Sequence, residues 1–153
     1  MRFIADTMLG TLAKWLRVLG FDTVYAKELD DGEILDMAIG EGRIILSRDR
    51  VLCGRKADSL YLVTTDLDEQ IAQVVLAYPP VGSDVLSRCL DCNSVLKKMT
   101  RTEASGKVSE PILARHNDFW TCENCGKYYW RGTHWRAMSK KAESIISSRN
   151  NPR

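Results

Sequence analysis

The stretch that most restricts how this chain can fold is Arg43-Ile44-Ile45-Leu46-Ser47-Arg48-Asp49-Arg50. Three long or branched apolar residues in succession suit a short strand buried on both faces, as in a parallel sheet covered by helices. The run stops at an acid flanked by two arginines. In open α/β sheets, ligands collect beyond the carboxyl ends of the strands, so Asp49 is expected at a functional edge. The same punctuation recurs elsewhere. Arg2-Phe3-Ile4-Ala5 reads as a strand ending at Asp6, Asp22 to Ala26 as another, and Leu60 to Thr64 as a fourth, followed by Asp66.

Helical spacing fills the intervals. Leu9, Leu12, Leu16 and Leu19 recur as one stripe over residues 8–19, with Trp15 beside them, Lys14 and Arg17 facing elsewhere, and Gly20 as the stop. A second helix opens at Asp30 or Asp31. Asp30 has Glu33 three residues on, as in a capping box, and Gly40 and Gly42 end the element. A third helix, after Asp66, buries Ile71, Val74, Val75 and Tyr78. Strand and helix alternating through residue 78 argue for an α/β fold: a parallel sheet with helices on both faces. Tyr78-Pro79-Pro80-Val81-Gly82-Ser83 breaks the alternation and is the expected boundary between a domain of residues 1–80 and a second unit of residues 84–153.

A chain of 153 residues, 44% apolar and 27% charged, has room for one globular domain and a small appendage. Its longest apolar runs are too short for a bilayer, and Asp6 interrupts any signal-peptide core, so a cytoplasmic protein without a membrane partner is expected. The net charge of +2 conceals an asymmetry. Residues 1–80 carry 9 Lys and Arg against 13 Asp and Glu, whereas residues 81–153 carry 13 against 7. That division fits an acidic, metal-holding or catalytic body with a polyanion-binding extension, and equally a chance segregation of surface charge.

In a parallel sheet Asp6, Asp49 and Asp66, with Asp30 and Asp31 opening a helix, fall along one edge. Clustered carboxylates resist joint ionisation unless a cation joins them, and Mg²⁺ or Mn²⁺ prefers such oxygen ligands. The ion lowers the pKa of bound water and neutralises charge on a phosphoryl group. Taken singly, an aspartate at a helix N-cap needs no metal, which applies most directly to Asp30 and Asp66. Asp6 and Asp49 both end buried strands and are harder to explain that way. No Ser-His or Cys-His pair is evident, since the only histidines, His116 and His134, lie in the second half.

Cys89-Leu90-Asp91-Cys92 and Cys122-Glu123-Asn124-Cys125 are two C-x-x-C knuckles with 29 residues between them. Paired thiolates of this kind make tetrahedral Zn²⁺ sites. A closed Cys₄ set leaves no open position, so the zinc is expected to be structural, clipping a module too small for a core of its own. The insert is expected to form hairpin strands at Lys97–Arg101 and Phe119–Thr121, turning near Ser105-Gly106. Cys53, left over, reads as a small buried hydrophobe rather than a nucleophile. After the second knuckle, Tyr128, Tyr129, Trp130 and Trp135 interleave with Lys127, Arg131, His134 and Arg136. That mixture suits stacking on unpaired bases with cations on phosphates, or simple packing around the knuckle. A tail helix from Met138 to Ser148 is expected to dock Met138, Ala142, Ile145 and Ile146 on the body and leave Lys140 and Lys141 in solvent.

These residues resemble the Mut-seven C-terminal RNase domain family, a PIN-like nuclease fold with a zinc ribbon. The likeness runs through Asp6-Thr7-Met8-Leu9, Leu12 to Gly20, Asp31 before Ile34-Leu35, Arg43 to Asp49, Arg88 to Asn93, and Cys122 through Tyr129 to Trp135. It covers nearly the whole chain. The resemblance implies a PIN-like parallel sheet sandwiched by helices, then a Cys₄ ribbon and a C-terminal helix. It also implies a metal-dependent ribonuclease with an acidic cluster of Asp6, Asp31 and Asp49, selecting Asp31 over Asp30. PIN-like folds often carry a fourth acid, for which Asp66 is the candidate. The leading function is an endoribonuclease using one or two Mg²⁺ or Mn²⁺ ions, with Lys14 and Arg48 as phosphate contacts and Arg131 and His134 as RNA contacts of the ribbon. The main alternative is a non-catalytic RNA- or ribosome-associated binding protein. A metal-dependent phosphatase for small substrates is a third reading.

Overall fold

The computed structural model describes residues 1–55, 57–80 and 85–150. Val81 to Ser83 of the expected boundary, and Asp84 at the start of the second unit, lie outside the described residues. Four parallel strands, β1 (Arg2–Ala5), β2 (Asp22–Tyr25), β3 (Ile44–Ser47) and β4 (Ser59–Tyr61), form a sheet in the order β2-β1-β3-β4. Successive strand residues point to opposite faces, and each face has its own core. Phe3, Ala5, Ile44 and Leu46 meet Leu12 and Leu16 of α1 (Gly10–Val18) and Ile71, Val74 and Val75 of α4 (Leu67–Ala77). Ile4 and Ile45 meet Ile34 and Ala38 of α2 (Asp31–Glu41) and Leu52 of α3 (Arg50–Cys53). The layered parallel architecture is the one expected from the alternating pattern.

Local chemistry explains the joints. A short 3₁₀ turn, Thr7–Leu9, carries the chain from β1 into α1. At Gly10 a Cβ would stand 2.9 Å from the Tyr25 ring, whose hydroxyl donates to the Thr7 carbonyl at 2.7 Å, so a larger residue would have to displace that ring. The capping box at α2 is present: the Glu33 amide donates to Asp30, and the Asp30 amide to Glu33. β4 is shorter than expected and ends at Tyr61, although buried Leu62 still donates its amide to the Ser47 carbonyl.

The second unit departs further from expectation. Its sheet has three antiparallel strands, β5 (Lys97–Met99), β6 (Phe119–Thr121) and β7 (Tyr128–Trp130). β7 lies within the aromatic stretch, where no strand was expected. The connection between β5 and β6 is not a turn at Ser105-Gly106 but two short helices, α5 (Arg101–Ala104) and α6 (Glu110–Arg115), with Gly106 between them at φ 77°. These helices close over Met99, Ala104, Leu113 and Phe119, so the module does hold a small core of its own. The last helix, α7 (Thr133–Asn150), starts five residues before Met138. Met138 and Ala142 enter the same core as α1 and α4, as expected. Lys141, expected in solvent, is half-buried over the Trp15 ring and pairs with Asp68 at 2.6 Å.

The seam between α1 and the first cysteine knuckle holds a buried arginine. Arg17 does not face solvent; it is 5% exposed and reaches across to the first cysteine knuckle. Its Nε donates to the Thr23 carbonyl at 2.9 Å, and Nη1 donates to the carbonyls of Leu90 and Asp91 at 2.6 and 3.0 Å. Burial lowers its pKa, opposed by Cys89, Cys92, Tyr129 and Asp22. Beside it, Asp22 accepts from Arg43 and from Asn93, both at 2.7 Å, and Asn93 in turn accepts from the Thr23 amide. Asn93 sits at φ 69°, a left-handed conformation that asparagine tolerates better than most residues.

Arg17→Ala is expected to leave buried carbonyls without donors and to cost about 3 kcal/mol of stability. Urea denaturation measures this, and Arg17→Lys should recover only part because an ammonium lacks the planar fork. The Asp22 carboxyl is pushed up by burial but held below its ordinary value of 3.8 by Arg43 and Asn93. Its contribution is therefore fully present above pH 3.8 and lost as pH falls through the lower folded-state pKa. The stability gap between the parent and Asp22→Asn should be wide at pH 7 and should close in acid.

Candidate active site and zinc centre

The strand order places a crossover between β1 and β3, because β2 and β4 lie on opposite sides of them. At the carboxyl ends of those two neighbours stand Asp6 and Asp49. Asp6 is 7% exposed. One carboxylate oxygen accepts from the Thr7 amide at 2.6 Å, and the other from the Ser47 hydroxyl at 2.7 Å. The same hydroxyl oxygen accepts from the Asp49 amide at 2.9 Å. Ser47 thus ties the buried acid to the segment that presents the exposed one. Asp49 caps α3, accepting from the Val51 amide at 2.7 Å.

Asp31 and Asp66 are placed differently. Asp31 opens α2 and pairs with Arg55 at 3.3 Å. Asp66 is exposed and caps α4, accepting from the Glu69 amide at 2.9 Å. Asp6, Asp31 and Asp49 do not form a group whose oxygens all lie within 4.8 Å of one another. Of the basic candidates, Lys14 is exposed on α1, and Arg48 is half-buried with its Nε enclosed and without a hydrogen-bond partner. Cys53 is half-buried 3.9 Å from the Ser47 carbonyl, its thiol pushed up by burial and by the charges of Asp49 and Asp6.

Asp6 tests whether this edge suits a hard cation. Buried charges are normally paired or coordinate metals. Among the described residues no lysine, arginine or histidine pairs with Asp6 or Asp49, whereas buried Arg43 has both Asp22 and Glu41. Carboxylate and hydroxyl oxygens are the ligands Mg²⁺ and Mn²⁺ take, so the donor set fits.

The second site is better defined. Cys89, Cys92, Cys122 and Cys125 are all free, with their sulfurs within 4.8 Å of one another. The Cys89–Cys125 and Cys92–Cys122 sulfurs are 3.5 and 3.2 Å apart. Four sulfurs about 2.3 Å from one zinc would be about 3.8 Å apart, whereas a disulfide needs about 2.05 Å. The arrangement fits zinc, and the tight packing of sulfurs accounts for their divergent acidities. Burial opposes the Cys92 thiolate, but hydrogen bonds from Asn124 and Ser94 bring it down to about 5. The Lys127 amide favours a Cys125 thiolate, yet burial and the neighbouring sulfurs push it up to about 12. Four thiolates this close need a cation to ionise together.

The aromatic stretch is largely committed to this centre. The Tyr129 hydroxyl lies 3.1 Å from Cys89 Sγ, Trp135 stacks on Trp120 at 4.9 Å, and Trp130 packs on the ribbon core. Arg131 is exposed, within 3.7 Å of Asp118 and over the Trp120 ring. His134 is exposed. Sequence reasoning missed Ser47, Arg17 and Asn93. Ser47 carried a signal, a hydroxyl two residues before an acid at a strand end; the other two carried none.

A four-stranded parallel sheet between helices, with a four-cysteine ribbon and a C-terminal helix, is an α/β, PIN-like nuclease fold carrying a zinc ribbon. Residues 1–142 match the family model described as Mut7-C RNAse domain, and the chain belongs to that family. It is therefore a ribonuclease-type domain with RNA as its implied substrate. No curated protein matches it. No solved structure matches it either. No helix among the described residues is long and apolar enough to cross a membrane.

Metal analysis of purified protein should find one zinc per chain, and Cys122→Ser should lose it. Treatment with a strong chelator should weaken the near-ultraviolet circular dichroism of the ribbon aromatics, since the Tyr129 hydroxyl rests on Cys89 Sγ.

Proposed function

We propose that this protein is a divalent-metal-dependent endoribonuclease with two functional units, residues 1–80 for chemistry and residues 84–153 for RNA capture. The observation that carries this is Asp6: a buried carboxylate with no cationic partner among the described residues, hydrogen-bonded through Ser47 to the backbone of Asp49. Asp6 and Asp49 would hold Mg²⁺ or Mn²⁺, with Asp31 as the third acid once its exposed pair with Arg55 opens. Such exposed pairs are worth little. Asp66, capping α4, is the fourth acid of the edge. The ion supplies an acidified water and charge neutralisation at the phosphodiester.

The chain's own residues do the rest. Ser47 fixes the Asp6 carboxylate, and Thr7 satisfies its other oxygen. Arg48 and Lys14 hold the phosphate backbone, and Arg131 and His134 extend that grip on the ribbon. The zinc is structural. A reducing compartment such as the cytoplasm, which keeps thiols available as zinc ligands, fits this reading.

One observation favours the non-catalytic alternative: the carboxylates of Asp6, Asp31 and Asp49 are not drawn to a common point. Cleavage of unstructured RNA with and without Mn²⁺ separates the two. Asp6→Asn and Asp49→Asn should each abolish metal-dependent products while zinc content and melting stay near those of the parent. Ser47→Ala should weaken activity about 10- to 100-fold and raise the Mn²⁺ concentration needed, the effect of losing a group that orients a ligand. Equal cutting by all three variants would assign the activity to a contaminant and leave a binding protein.

A further inference from the structure

A groove of about 450 Å³ runs along the seam between α1 and the zinc ribbon. Lys14 and Trp15 line one side, and Tyr128, Tyr129 and His134 the other. A smaller continuation of about 330 Å³ shares both tyrosines and His134 and adds Trp130 and Trp135. Thr11, Lys14, Trp15 and Val18, all lining the groove, recur at the spacing that puts side chains on one helix face. That face begins just past the turn leaving Asp6, since α1 starts at Gly10. At 1.5 Å per residue it runs about 10 Å from Thr11 to Val18. The groove therefore follows α1 from Thr11, five residues after Asp6, onto the ribbon.

Its charge identifies the occupant. The carboxylate in its lining, Asp91, is already paired with Lys127. Lys14 and His134 are exposed and, among the described residues, make no ion pair or side-chain hydrogen bond. Tyr129 is committed to the cysteine knuckle; Tyr128 packs on the ribbon core, is half-buried, and has its hydroxyl unengaged among the described residues. An apolar peptide would gain nothing from the unpaired Lys14 ammonium. An unpaired nucleotide matches the groove, with aromatic walls for its base and Lys14 for its phosphate, whereas a duplex keeps its bases stacked away from such walls.

We infer that the seam groove is an RNA subsite that holds an unpaired nucleotide of the strand being cut, at a fixed remove from the acidic edge. This rests on the ribonuclease reading and adds to it: the substrate is single-stranded on one side of the cut, and the cleavage position is measured from the base held by the ribbon.

Binding of a short fluorescent RNA to the full-length Asp49→Asn protein tests this without cleavage. The single strand should bind at least about tenfold tighter than the same sequence in duplex. Lys14→Glu, an exposed change that leaves packing alone, and Tyr128→Leu, which keeps bulk against the ribbon core, should each weaken single-strand binding about tenfold, the scale of losing one stacking or phosphate contact. Photo-crosslinks from 4-thiouridine RNA should map to residues 14–18 or 128–134. Unchanged binding by Lys14→Glu, equal duplex affinity, or crosslinks elsewhere would overturn the subsite. If instead these results hold while Asp6→Asn cuts as fast as the parent, the nuclease reading fails and the subsite stands.

Discussion

The register between β1 and β3 governs this molecule. Phe3 pairs with Ile44, Ile4 with Ile45 and Ala5 with Leu46. One step further, Asp6 lies opposite Ser47, and its amide donates to the Leu46 carbonyl at 3.0 Å. A slip of one residue would turn every apolar side chain to the wrong core and carry the acid away from the hydroxyl that holds it. Burial of Ile44, Ile45 and Leu46 is thus what makes the acidic edge a defined place. Hydrophobic patterning and site geometry are one constraint here.

The two units share more than a linker. α7 begins in the ribbon and ends by packing Met138 and Ala142 against α1 and α4. Arg17 and Asn93 join the knuckle to β2 through backbone carbonyls and amides, groups that do not change with side-chain identity. The buried Arg17 guanidinium lies in the electrostatic reach of Cys89 and Cys92, where it would offset negative charge on a four-thiolate zinc site. The ribbon is anchored at its metal end, so the aromatic stretch is held at a set angle to α1.

Much of this was legible because it followed local rules. β1 ended where its apolar run met Asp6 and β3 two residues short of Asp49, Asp30 and Glu33 formed their box, and C-x-x-C spacing announced the four-cysteine cluster. The leucine stripe of α1 was buried as its period required. Arg17 was not legible: an arginine on a helix is usually solvated, and only the knuckle carbonyls, more than seventy residues away, give it a buried role. β7 was obscured because aromatic residues serve strands, cores and ligand walls alike. The helices between β5 and β6 were missed because Thr100, with Glu103 behind it, lay where a hairpin strand was expected to run on to Arg101.

Asn93 has one more effect. β2 is the outer strand of the sheet, and its Thr23 amide points outward to the Asn93 side chain. An open strand border with unmet amides is a template for pairing with another chain. The cysteine knuckle therefore serves as a cover for that border. Breaking up the cysteine cluster would loosen that cover and favour self-association through β2, so the cluster's first contribution is to solubility.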